Sequence, residues 1–229
     1  MTMNIDGRPL TAPRRHVFDT RLPRVIGQDA YRVYIKRVFD ILLVLAAAPV
    51  VLPLVVFLAA IVALSGGAPF YTQTRIGYAG REFRLWKLRT MVADADARLN
   101  DHLARDPAAR AEWARDQKLR HDPRITWVGT LLRKTSLDEL PQLWNVLMGH
   151  MSLVGPRPMM VAQQSLYPGQ AYYNLRPGIT GPWQVSDRNE TTFAARAAFD
   201  QHYERKVSFF DDLRILVETV GVVVRATGR

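Results

Sequence analysis

The run LLRKTSLDELPQLWNVLMGHMSLVGPRP, residues 131–158, decides how the rest of the chain is read. Leu140, Leu143, Trp144 and Leu147 recur at i, i+3, i+4 and i+7, the period of an amphipathic helix, and Gly149 stands where a C-cap glycine belongs. Proline lacks the N–H that a helix interior needs, so Pro141 confines the helix start to the neighbourhood of Ser136 to Asp138. Asp138 and Glu139 then lie at a helix N-terminus, where unpaired N–H groups and the helix dipole favour anions, carboxylate or phosphate. A capping box is the ordinary reading of the pair taken alone, with Ser136 capping and Glu139 reaching back. It leaves Arg133 on one side, and the rigid Gly155-Pro156-Arg157-Pro158 turn on the other, without a purpose; a phosphate gives both one.

Composition narrows the partners. The chain has 229 residues and no cysteine, so it suits one compact domain or one domain plus a membrane element and carries no disulfide framework. A formal net charge of +10 calls for a polyanionic partner: nucleic acid, anionic lipid or a phosphorylated substrate. Charge alone does not choose among them.

Residues 1–30 are polar, carry Pro9, Pro13 and Pro23, and read as a mobile tail without the apolar core of a signal peptide. Residues 31–40 alternate Arg32, Lys36 and Arg37 with Tyr31, Tyr34, Ile35, Val38 and Phe39, which suits a helix at a membrane surface. Residues 41–64 form about two dozen uncharged positions, long enough at 1.5 Å per residue to cross a bilayer of roughly 30 Å. Pro49 and Pro53 fall near the middle, and cations flank both ends: Arg32, Lys36 and Arg37 before, Arg75, Arg81, Arg84, Lys87 and Arg89 after. Positive residues favour the cytoplasmic face, so a re-entrant helix-break-helix is expected over a simple span.

Residues 70–76 and 83–88 read as two strands joined at Gly77-Tyr78-Ala79-Gly80. Residues 92–120, interrupted at Asp106-Pro107, read as two polar surface helices. Arg124, after Asp122-Pro123, is expected in a structural salt bridge, with substrate contact the lesser alternative. His102 and His121 have no second ligand at metal spacing. The glycines and prolines from Arg176 to Arg188 specify a fixed loop through which backbone could approach a ligand. Residues 209–224 form a final helix whose Phe209, Leu213, Leu216, Val217, Val220 and Val224 share one face, read as a membrane-surface helix rather than core.

The run TSLDELPQLWNVL followed by MSLVGPRP resembles the signature of the bacterial sugar transferases, the monotopic polyprenyl-phosphate phosphoglycosyl transferases. Three further elements are similar to the same family: Lys87-x-Arg89-Thr90-Met91, Asp122-Pro123-Arg124-Ile125-Thr126, and Pro177-Gly178-Ile179-Thr180-Gly181 leading to Trp183-Gln184-Val185-Ser186, with Asp187 where the family has Gly. The resemblance implies an α+β, mostly helical, monotopic membrane protein: a tail over 1–30, a basic interfacial segment and re-entrant hairpin over 31–65, and a cytoplasmic catalytic domain over 66–229 with a small β-hairpin and amphipathic interfacial helices. The implied place is the bacterial inner membrane, with the catalytic domain on its cytoplasmic face.

The resemblance also implies a chemistry. A UDP-sugar gives its sugar-1-phosphate to Asp138 with release of UMP, and undecaprenyl phosphate then accepts it, which starts exopolysaccharide or another surface glycan. Asp138 and Glu139 are the catalytic candidates, and both belong with Mg²⁺, a hard cation that takes oxygen ligands. Arg133, Arg157, Lys87 and Arg89 are expected at substrate phosphates, and Arg176, Gly178, Thr180, Gln184 and Arg188 in the donor loop. Cations and N–H donors around Asp138 are expected to lower its pKa and keep it ionised as a nucleophile. The partners are then the UDP-sugar, undecaprenyl phosphate and membrane lipids, with no nucleic acid, and a homo-oligomer is allowed. A non-enzymatic membrane-anchored binding protein, or a scaffold subunit of a polysaccharide machine, stays open as the alternative.

Overall fold

In a computed structural model, the described residues are 30–116, 119, 121–186 and 193–224. The expected tail and Arg188 lie outside them. The uncharged stretch is helical throughout: α1, Lys36–Leu64, is one helix with Pro49 and Pro53 inside it, entered through a π-helical turn at Tyr31–Ile35. Thus the expected interfacial segment, residues 31–40, is the π-helical turn running without a gap into the first turn of α1, and the expected break is not an interruption of the helix. By length and composition this is one helix able to cross a membrane. Only 11 % of its most apolar window is buried. What it does bury lies on one domain from both halves: Val44 packs with Phe83, Leu85, Val146 and Met151, while Leu58, Ala59 and Val62 pack with Leu88 and Leu132.

The hairpin forms as its alternation requires. Strands β1, Phe70–Ile76, and β2, Glu82–Leu88, pair antiparallel from Phe70 opposite Leu88 to Ile76 opposite Glu82. The turn between them takes positive φ at Ala79 (55°) and Gly80 (75°). Two polar helices follow, α2, Ala95–Arg105, and α3, Pro107–Asp116, separated where Asp106 accepts the amides of Ala108 and Ala109 and Pro107 takes the first helical position. Helix α4, Trp127–Lys134, is capped by Thr126, which accepts the amide of Gly129.

The helix expected from Ser136 onward is shorter. Ser136 takes a left-handed φ of 57° and makes no side-chain cap, so the capping box does not form. Leu137–Glu139 is a single 3₁₀ turn, and α5 covers Gln142–Leu147, beginning just after Pro141. The expected face is met only in part: Leu140, Leu143 and Leu147 pack against the core, but Trp144 is 53 % exposed, while Gln142, Asn145 and Val146 are buried. Asn145 decides this: its carbonyl oxygen accepts the Trp86 amide at 3.0 Å and its NH₂ donates to the Arg84 carbonyl at 2.7 Å. One side chain therefore pairs with the open edge of β2, as a strand would.

Gly149 does close α5, at φ 79°, and two cations finish the cap. Arg37 donates to the carbonyls of Val146 and Leu147, and Arg176 to that of Gly149. Two short parallel strands, absent from the sequence reading, come next: β3, Ser152–Val154, and β4, Gly178–Thr180, with Ser152 opposite Gly178 and Val154 opposite Thr180. A helical turn, α6, Pro182–Val185, precedes α7, Arg196–Lys206, and α8, Phe209–Val224. Helix α8 has the expected bounds and leaves Phe210, Val217 and Val220 exposed at 79, 65 and 63 %.

Candidate active site

The carboxylate pair sits on the 3₁₀ turn between α4 and α5, against β2. Asp138 is buried at 6 % exposure, and Glu139 is half-buried. Strand β2 brings Lys87 between them: its ammonium lies 2.7 Å from Glu139 Oε1 and 3.4 Å from Asp138 Oδ2. Arg133, at the end of α4, is oriented by donating Nε–H to the Thr90 hydroxyl at 2.9 Å. Arg157, from the Gly-Pro-Arg-Pro turn, reaches Glu139 Oε1 at 4.0 Å and stays 37 % exposed. Four of the expected side chains, Asp138, Glu139, Lys87 and Arg157, are thus joined by direct ion pairs, and Arg133 adds its charge to the same field.

The electrostatics of Asp138 correct the sequence reading. Burial is the largest influence and raises its pKa above the ordinary carboxylate value; Lys87 opposes this, Glu139 adds to it, and Arg133 opposes. The cations are present as expected, but removing the carboxylate from water outweighs them. The physical point missed from sequence is depth: a 3₁₀ turn pressed against β2 excludes water more than an exposed helix start would.

The other candidates have different partners. Arg89 donates to the carbonyl of Val62 and the hydroxyl of Ser65, so it closes the C-terminal end of α1. Arg176 caps α5, as described. Thr180 shares a 2.7 Å hydrogen bond with Thr219 of α8, and Gln184 donates to the Ile179 carbonyl. Gly178 serves backbone contact with backbone, because a Cβ there would lie 2.1 Å from the Gly155 nitrogen. Gly155 and Gly181 meet at the same place, where a Cβ on Gly181 would lie 2.0 Å from the Gly155 carbonyl oxygen. The loop of 176–186 therefore positions the turn that carries Arg157. Arg124 is in the structural pair, with Asp122 oxygens at 2.8 and 2.6 Å and its face over Trp113.

Sequence reading named Thr90 only within a motif and Arg75 only as a flanking cation, and it passed over Asp212. Thr90 orients Arg133. Arg75 donates to the Pro158 carbonyl at 3.2 Å, beside Arg157, and only the register of the hairpin could have brought it forward. Asp212 is fully buried on α8 and accepts from Tyr31, Lys36 and Tyr203, which ties α8 to the start of α1 and to α7.

The carboxylate pair can hold a divalent cation in one specific sense. No group of three acidic, histidine or cysteine side chains converges among the described residues. Mg²⁺ needs none, since it takes one or two protein carboxylates and fills its shell with water and substrate phosphate oxygens. Asp138 and Glu139 already gather a cation, the Lys87 ammonium, between their oxygens, so their donor chemistry fits.

The family described as bacterial sugar transferase matches residues 31–226. The chain is 47 % identical over 197 residues to a UDP-galactose-lipid carrier transferase of Erwinia amylovora, covering 85 % of this chain and 41 % of that protein. It is 44 % identical over 196 residues to the exopolysaccharide production protein ExoY of Sinorhizobium fredii, covering 84 % of this chain and 87 % of that protein. It is 37 % identical over 197 residues to the UDP-glucose:undecaprenyl-phosphate glucose-1-phosphate transferase of Escherichia coli, covering 81 % of this chain and 39 % of that protein. The chain thus spans about two fifths of the first and third relatives and most of the second.

Proposed function

The chain belongs to the bacterial sugar transferase family, and from that premise we propose that it transfers a hexose-1-phosphate from a UDP-sugar to undecaprenyl phosphate and so begins an exopolysaccharide. The observation that carries this reading is Asp138, a buried carboxylate joined to Glu139 by Lys87 and lying in the field of the Arg133 guanidinium. Neither a scaffold nor a lipid-binding surface has a use for a buried acid at such a place.

In the first displacement a carboxylate oxygen of Asp138 attacks the phosphorus that bears the sugar. A carboxylate–phosphorus bond forms, the bond from that phosphorus to the bridging oxygen breaks, and UMP leaves with the electron pair. In the second, a phosphate oxygen of undecaprenyl phosphate attacks the same phosphorus, Asp138 departs as carboxylate, and the lipid gains a diphosphate-linked sugar. Lys87, Arg133 and Arg157 hold the phosphate oxygens and neutralise charge that builds on them. Asp138 and Glu139 would hold Mg²⁺, which supplies Lewis acidity and charge neutralisation at the donor phosphates when bound.

A lipid acceptor requires the site to lie at a membrane. Contacts of the domain with both halves of α1 support a re-entrant placement in which residues 45–57 dip into one leaflet and both ends stay on the cytoplasmic side. The names of the relatives favour galactose or glucose as the sugar.

The test is UMP release by the purified chain given undecaprenyl phosphate, Mg²⁺ and, in turn, UDP-galactose and UDP-glucose. Release that stops in Asp138→Asn, with a phosphosugar adduct on Asp138 of the wild type, is the expected result. Absence of UMP with every UDP-sugar, or undiminished release by Asp138→Asn, overturns it.

A further inference from the structure

We propose that Arg75 and Arg196, on either side of Arg157, complete a three-guanidinium cradle for the nucleoside monophosphate half of the donor, the half that departs as UMP. This rests on the donor chemistry proposed above.

The three cations arrive from separate elements. Arg75, half-buried on β1, gives Nη1–H to the Pro158 carbonyl at 3.2 Å and Nη2–H to Gln73 at 2.6 Å, while its Nε–H is buried without a hydrogen-bond partner. Arg157, one residue before Pro158, has Glu139 at 4.0 Å as its ion-pair partner. Arg196, at the start of α7, has its guanidinium carbon over the Trp183 ring at 3.9 Å and over the Phe193 ring at 4.9 Å, and its Nε–H is also buried without a hydrogen-bond partner among the described residues. The charge of Arg157 lowers the pKa of both neighbours, after burial, which places all three in one field.

Among the described residues two carboxylates face the three cations, Glu139, which Lys87 already shares, and Asp200, so the cations outnumber the acids. Asp200, whose charge acts on Arg196, accepts from the Tyr167 hydroxyl at 2.8 Å, and burial pushes its pKa up to about 6. Partly buried like charges with orphaned N–H groups are costly unless an anion completes the arrangement. A buried water is the plainer explanation. A cavity of about 10 Å³ between Arg157, Arg196 and Asp200 has room for one. That water could serve Arg196; Arg75 does not line the cavity, and a water does not neutralise charge. The cavity is also too small for a nucleobase, so the anion meets the cradle from the exposed side of Arg157.

Position selects which phosphate. Asp138 feels Lys87, Glu139 and Arg133, whereas Arg75 feels Arg157 and Glu139. The cradle is therefore on the Glu139 side of the carboxylate pair, away from Arg133. In an in-line displacement the leaving oxygen is opposite the attacking one. When the bond to the bridging oxygen breaks, that oxygen carries the electron pair into UMP, whose phosphate gains a negative charge just where the guanidinium groups gather.

The test uses UMP and uridine as probes on the full chain in detergent, by calorimetric titration, together with product inhibition by UMP. Arg75→Gln and Arg196→Gln are each expected to weaken UMP binding, and inhibition by UMP, by about tenfold to a hundredfold, the range for one charge-assisted hydrogen bond, with uridine binding unchanged. If a Gln variant does not fold, Arg75→Lys and Arg196→Lys are read instead, with a loss of about tenfold expected as the fork geometry goes. UMP binding and inhibition equal to wild type in folded variants overturn the cradle, as does an equal loss for uridine. A wild type that releases no UMP from any UDP-sugar overturns the donor reading itself, a separate result.

Discussion

Asp138 carries two opposed demands, and its pKa states the balance between them. As the proposed nucleophile it must be ionised, yet burial favours the neutral acid and raises its pKa above the ordinary carboxylate value. Activity is therefore expected to fall on the acid side at a higher pH than an unperturbed aspartate would give. Lys87 holds the pKa down, so Lys87→Met should move that limb to still higher pH, as a pH profile of UMP release will show. The sign for stability follows by linkage. The folded state binds the Asp138 proton more tightly than the unfolded chain, so this group costs stability increasingly as pH rises from the ordinary carboxylate value through the raised one, and the cost is fully present above both. Asp138→Asn removes that cost: it should melt at a higher temperature than wild type at neutral pH, with the gain vanishing in acid, while UMP release drops at least about a thousandfold. A lower melting temperature would mean that Lys87 and Arg133 outweigh the burial.

Two elements hold the site in place. The first is the crossing of β3 and β4, where Gly155, Gly178 and Gly181 let two backbones meet. A methyl group on residue 178 would lie 2.1 Å from one backbone atom and 2.3 Å from another, so Gly178→Ala must displace the turn that carries Arg157. We expect it to cost about 1–3 kcal/mol or more in chemical denaturation and to raise KM for the UDP-sugar. The second is Asp212, which binds α8 to α1 and α7 through Tyr31, Lys36 and Tyr203. Asp212→Ala leaves the Lys36 charge nearly buried and unpaired and should cost about 3–5 kcal/mol. Tyr203→Phe, which removes one donor to the same oxygen pair, should cost about 1 kcal/mol. The sequence made the hairpin and α8 plain, since each has an unbroken period and clear ends. It concealed the tie to Asp212, because an acid near the start of a helix reads as a solvated first-turn residue. It also misdirected at α5: four apolar residues at helical spacing outvoted Asn145, whose pairing with the edge of β2 depends on a strand distant in sequence.

Across the whole molecule, the choice is how a helix of 29 residues, uncharged from residue 41 to 64, meets the bilayer. Its length permits a span, Pro49, Pro53 and the cations at both ends favour re-entry, and hydropathy carries no information about which domain surface each turn touches. Tertiary contacts supply that information. Arg37, in the first turns of α1, donates to carbonyls at the end of α5; Arg89, just after β2, donates to the Val62 carbonyl near the other end of α1. Val44 and Leu58 face buried residues of the same hairpin, Leu85 and Leu88. A straight span would carry one of these ends to the far side of roughly 30 Å of hydrocarbon, away from its partners. Proline inside the apolar stretch offers the alternative, a bend at Pro49 and Pro53 that returns the chain to its own leaflet. The absence of cysteine makes this directly testable. Ala30→Cys and Ala68→Cys, both at exposed positions flanking the helix, should react with a membrane-impermeant maleimide from the same side of sealed vesicles. Inside-out and right-side-out preparations should then reverse both labels together. Labelling of the two positions from opposite faces would make α1 a span and would require one set of packing contacts to break in the membrane.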